Sequence, residues 1–132
     1  MPKLRIVEMD HIVLNVRDIE RAIAFYTGVL HLQGERLDEY RTGKVGFPSV
    51  RINDHTLIDL MQAGSQDGAT GKNLNHFCLV CEPTDLGELT ADLKNRGVTV
   101  VSEPVSRWGA RGTATSIYIE DPDENEIEIR CY

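Results

Sequence analysis

Four residues of this chain stand where type and spacing suggest shared chemistry: His11, His76, Asp59 and Glu128. His11 lies in Asp10-His11-Ile12-Val13-Leu14-Asn15-Val16, and His76 lies 65 residues later in Asn75-His76-Phe77-Cys78-Leu79-Val80-Cys81. In both segments a short polar residue precedes a histidine that opens an apolar strand. The acids recur in the same way. Leu57-Ile58-Asp59-Leu60 aligns with Glu126-Ile127-Glu128-Ile129, which makes Asp59 and Glu128 counterparts 69 residues apart. If the two halves are related by an approximate twofold axis, these imidazoles and carboxylates can converge on it. Mixed nitrogen and oxygen ligands suit Zn, Ni, Co, Mn or Fe(II), and two histidines with one carboxylate leave positions open for a substrate.

Strand alternation sets the faces these residues occupy. Glu126, Glu128 and Arg130 share one face of the closing strand, and Ile127, Ile129 and Cys131 share the other. Likewise His11, Val13 and Asn15 lie opposite Ile12, Leu14 and Val16. Each leading strand runs into a helical pattern. Ile19, Ala22, Ile23, Tyr26 and Leu30 recur at three- and four-residue spacing, with Asp18 available as N-cap. Leu86, Leu89 and Leu93 follow Thr84, and Gly97 sits where a left-handed C-cap glycine belongs. Two β-type segments then close each half: Ser49 to Ile52 and Thr56 to Met61 around Asn53-Asp54-His55, and Thr115 to Glu120 and Glu126 to Cys131 around Asp121-Pro122-Asp123-Glu124-Asn125. Pro122 between aspartates is strong turn chemistry. The Gly-, Ser- and Asp-rich stretch 63–72 reads as a linker. The expectation is an α+β fold, one domain over 1–132, built from two βαβββ modules at about 1–62 and 73–132.

The chain has 132 residues, with 14 Lys and Arg against 21 Asp and Glu, a net charge of −7. A chain of this length buries about 68% of its unfolded surface, so it needs neither disulfide nor structural metal merely to fold. The acidic balance argues against nucleic acid or an anionic membrane as general partner. The apolar runs are only a few residues long, far short of a membrane span, and Glu8 and Asp10 interrupt any signal-like stretch near the start. A cytoplasmic location is expected. Cys78, Cys81 and Cys131 are then read as free thiols. Residues three apart on a strand face opposite ways, so Cys78 and Cys81 do not share a metal. The segment 106–112, with Arg107, Trp108, Arg111 and two glycines, reads as a glycine-containing loop. Arg107 or Arg111 there would suit a substrate carboxylate or phosphate. His31 and His55 are read as surface residues.

The stretches DHIVLNVRDIERAIAFYTGVL, NHFCLV and SIYIEDPDENEIEIRCY resemble the vicinal oxygen chelate superfamily over nearly the whole chain. That group contains glyoxalase I, extradiol dioxygenases, thiol transferases of antibiotic resistance and bleomycin-resistance proteins. The resemblance implies paired, curved mixed sheets with helices outside. It carries a metal role to His11, His76 and Glu128, and to Asp59 the position of a fourth ligand usually filled by Glu; Asp, one methylene shorter, would otherwise serve as a base. It implies a homodimer with shared sites, or a monomer with its modules paired internally, and a small-molecule substrate. The activity it implies first is a glyoxalase I-like lyase or isomerase acting on vicinal oxygens, with Glu128 or Asp59 moving the proton. Ring-cleaving dioxygenase, thiol transferase and ligand-sequestering functions are the alternatives.

Overall fold

The computed structural model describes residues 4–63, 73–122 and 124–132. Residues 64–72 of the expected linker and Asp123 of the expected turn lie outside the described residues. The chain divides into two compact units, His11–Asn75 and Met1–Asp10 with His76–Tyr132, called here the first and second units.

The first unit takes most of β1 (Ile6–Val16), then α1 (Ile19–Ala24), β2 (Gln33–Glu35), α2 (Leu37–Arg41), β3 (Ser49–Asn53) and β4 (Thr56–Gln62). Its strands run in the order β2-β3-β4-β1, with β4 parallel to β1 and the other pairs antiparallel. Asp18 caps α1 by accepting from the Arg21 N–H at 3.1 Å. Ile19 and Ile23 bury against Leu60, with Val16, Tyr26 and Leu37 around them. The helical stripe does not continue to Leu30 as its spacing predicts. After Ala24 the chain widens into a π turn, Phe25–Val29, closed by Leu30 N–H to the Phe25 carbonyl at 3.2 Å. The wider turn rotates the stripe, so Leu30 is exposed. Neither β2 nor α2 has apolar periodicity long enough to announce itself. Their residues are placed by pairing on Ser49–Arg51 and by packing of Leu37 and Tyr40.

The second unit holds β5 (Leu74–Cys81, from His76 onward), α3 (Leu86–Asn95), β6 (Val100–Gly109), β7 (Gly112–Glu120) and β8 (Glu126–Arg130). Its order, β5-β8-β7-β6 with β8 parallel to β5, repeats that of the first unit. Asp85 caps α3 and accepts from the Glu88 N–H at 3.0 Å. Gly97 follows the helix at φ +83°, where a side chain would be strained. Leu86, Leu89 and Leu93 bury with Cys81, Ile117 and Ile129 to make the core. The segment expected to be a loop is instead a hairpin: Ser106, Arg107 and Trp108 pair with Thr115, Ala114 and Thr113, leaving only Ala110 and Arg111 as connection. Ladder pairing along two strands of ten and nine residues outweighs the local glycines. Both units thus combine a mixed four-stranded sheet with helices, an α+β architecture.

Candidate functional site

Equal strand registers place the two histidine–carboxylate pairs. Asp59 lies opposite Val13, two residues beyond His11, and Glu128 lies opposite Cys78, two residues beyond His76. Because strand side chains alternate, each acid shares a face with its histidine on the adjoining strand. In the first unit His11 Nε2 is 3.8 Å from Asp59 Oδ2, with both side chains buried. Ser49, opposite Asp59 on β3, donates its hydroxyl to Oδ1 at 2.5 Å. In the second unit His76 Nε2 is 3.1 Å from Glu128 Oε1, and Ser116 donates to Oε2 at 2.7 Å. Glu126 Oε2 stands 3.9 Å from the other ring nitrogen of His76.

The separation of His76 and Glu128 in the second unit is compatible with a divalent cation. Two ligands about 2.1 Å from one ion, at tetrahedral or octahedral angles, stand roughly 3.0 to 3.4 Å apart. The 3.1 Å pair of His76 and Glu128 meets that separation. Asp59, one methylene shorter and tied to Ser49, leaves a wider 3.8 Å gap to its histidine. Each serine holds one carboxylate oxygen and leaves the other directed at imidazole, an arrangement that orients metal ligands from outside. A neutral imidazole ligates through its unprotonated nitrogen, which on His76 is the Nε2 that faces Glu128 when the proton sits on Nδ1.

Other polar groups surround these pairs. The Tyr118 ring meets His76 edge-on at 5.5 Å. Burial first, then the charge of Glu128, pushes the Tyr118 phenol well above its ordinary value, and nearby Arg107 opposes that shift. Arg107 therefore reaches the face that carries Glu128. Arg111 instead pairs with Glu8 and stacks over the Tyr132 ring at 4.8 Å. In the first unit Arg36 adopts a left-handed φ of 57°, which is uncommon for a residue other than glycine. Its guanidinium lies over the Phe47 ring at 4.9 Å. Burial lowers the Arg36 pKa, opposed first by the charge of Asp59. His55 lies exposed in the β3–β4 turn, and His31 is exposed after the π turn.

The serines escape sequence inspection because serine in a strand carries no local signal. Their 67-residue offset, between the histidine and acid offsets, is what could have marked them. A further group was also missed. Asp10, fully buried, accepts from the Ala110 N–H at 2.9 Å and from the Tyr132 hydroxyl, and Arg130 Nη1 lies 3.9 Å from it. Arg130, also fully buried, donates through Nη2 to the carbonyls of Arg107 and Ala114.

Repeated mixed sheets bearing matched histidine–carboxylate pairs define a class of duplicated α+β proteins with metal-ligating potential. The chain belongs to the Glyoxalase/Bleomycin resistance protein/Dioxygenase superfamily, whose family model matches residues 8–129. It is 32% identical over 124 residues to the virulence protein STM3117 of Salmonella typhimurium, covering 94% of this chain and 83% of that protein. It is 30% identical to the glyoxalase domain-containing protein RDO1 of Mycosarcoma maydis, over 98% of this chain and 71% of that one. Among solved structures, the Mn(II)-bound glyoxalase from Novosphingobium aromaticivorans shares the fold, with a TM-score of 0.74 and 20% identity over 98% of this chain and 40% of that chain. Among the described residues no helix is long and apolar enough to cross a membrane.

Proposed function

We propose that the chain is a divalent-metal-dependent lyase or isomerase of the glyoxalase I type, acting on a small substrate with vicinal oxygens. The observation that carries the reading is the repetition, once per unit, of a histidine–carboxylate pair whose acid is buried, with a serine on the acid's other oxygen. His11, His76 and Glu128 would hold the ion, which is one of Zn, Ni, Co, Mn or Fe(II). Bound there, it supplies Lewis-acid stabilisation to negative charge developing on the substrate oxygens.

The remaining chemistry belongs to the chain. Asp59, at the wider separation from its histidine, serves as proton acceptor: Ser49 fixes Oδ1, so Oδ2 carries the exchanged proton. Ser116 fixes Glu128 in the same way, leaving Oε1 for ligation. Arg107, on the face that carries Tyr118 and Glu128, would bind an anionic group of the substrate. Two chains would assemble as a homodimer that shares sites.

Metal per chain, measured by elemental mass spectrometry on protein purified without chelator, tests this reading beside His76→Ala and Asp59→Asn. Near-stoichiometric metal, lost in His76→Ala and kept in Asp59→Asn, is expected. Turnover of hemithioacetals should then vanish in both variants. Iron with oxygen uptake on catechols would replace the lyase by a ring-cleaving dioxygenase. A metal-free chain that returns its ligand unchanged, even after supplementation, would leave a binding module.

A further inference from the structure

We propose that Cys81 and Cys131 form a reversible dithiol–disulfide site on the helix-facing side of the second unit. The parallel register of β5 and β8 pairs Leu79 with Ile129 and Val80 with Arg130, so one residue further sets Cys81 opposite Cys131. Neighbouring strands lie about 4.8 Å apart, inside the Cα separation of roughly 4.4 to 6.8 Å that a disulfide spans. The side chains agree with the register. Cys81 is buried in the cluster of Leu86, Leu89, Ile117 and Ile129, and Cys131 packs against that same cluster. Cys131 Sγ lies 3.8 Å from the carbonyl of Thr84, three residues past Cys81.

The two thiols differ in access. Cys131 lines a cavity of about 590 Å³ together with Thr84, Gly87, Pro104 and Thr115, whereas Cys81 is 2% exposed. Burial first, and the Cys131 thiol beside it, push Cys81 up to about 11. Cys131 is therefore the thiol that meets an oxidant, and Cys81 is the one that resolves. With a small-molecule disulfide RSSR, the Cys131 thiolate attacks one sulfur and releases RSH after protonation. Cys81 loses its proton and attacks Cys131 Sγ, breaking the mixed disulfide and releasing the second RSH. The two protein thiols are oxidised to one disulfide as RSSR is reduced to two thiols. Cys78 takes no part. It lies opposite Glu128, on the other face of β5.

The test is incubation of the full chain with oxidised glutathione, alkylation of remaining thiols, and non-reducing peptide mass spectrometry. A Cys81–Cys131 linked peptide with Cys78 alkylated is expected, with a melting temperature raised by about 5 °C or more and restored by dithiothreitol. Cys131→Ser should abolish both changes, and Cys81→Ser should accumulate glutathione on Cys131. A persistent glutathione adduct on Cys131 of the wild-type chain would overturn the proposal. So would a link through Cys78 or a disulfide between two chains.

Discussion

Gly109 gives the most stringent test of how the buried polar network of the second unit is held. A Cβ built on Gly109 falls 1.6 Å from Arg130 Nη1 and 2.7 Å from Cζ. Ordinary contact begins near 3.4 Å, so Gly109→Ala requires the guanidinium to move about 1.8 Å. That motion breaks the donations of Nη2 to the Arg107 and Ala114 carbonyls and draws Arg130 away from Asp10. Hydrogen bonds from a charged donor contribute roughly 1.5 to 3 kcal/mol each, and separating a buried ion pair costs about 3 to 5 kcal/mol. These contributions overlap because one guanidinium makes them all, so the expected loss is about 3 to 5 kcal/mol. Urea unfolding followed by far-ultraviolet circular dichroism measures it. Arg130→Leu removes the guanidinium atoms that clash and leaves the Tyr132 hydroxyl, 2.6 Å from the new methyl, which must still give way. Gly109→Ala should then cost clearly less in the Arg130→Leu background than in the wild type, a coupling of about 1 kcal/mol or more, with the remainder set by the displaced Tyr132 hydroxyl. Equal costs in both backgrounds would refute the reasoning.

Ser116→Ala, which frees Glu128 Oε2, should weaken metal binding roughly 10- to 100-fold, as loss of a group that orients a ligand does; competition against a chromophoric chelator reads the change. Burial, then the hydrogen bond to Asp10, raises the Tyr132 phenol to about 12. The folded chain therefore holds this proton more tightly than the unfolded one, and stability falls as pH rises from about 10 to about 12. Tyr132 is 37% exposed, so solvent screening keeps that loss under about 1 kcal/mol. The difference in urea midpoint between wild type and Tyr132→Phe should shrink across that window. Asp18→Ala and Asp85→Ala each remove a side-chain cap and should cost about 1 kcal/mol in the same unfolding assay.

The sequence by itself determined the duplicated α+β pattern, because strand alternation and helix periodicity are local consequences of backbone geometry. The same logic placed Asp18 before α1, Gly97 after α3 and Glu128 on the polar face of β8. Where geometry departs from regular spacing, the sequence was silent: apolar spacing alone does not announce the π turn at Phe25–Val29, after which Leu30 is exposed. The hairpin at Ser106–Thr115 likewise depends on pairing between strands whose glycines suggested a loop. Tertiary structure alone decided the surroundings of the acids. Ser49 and Ser116 reach carboxylates 10 and 12 residues away. Asp10 accepts from a backbone amide 100 residues distant. Such contacts arise because burial leaves a polar group no water, so whatever donor the fold brings near must satisfy it. Residue type fixes that need, and only the folded chain fixes the partner.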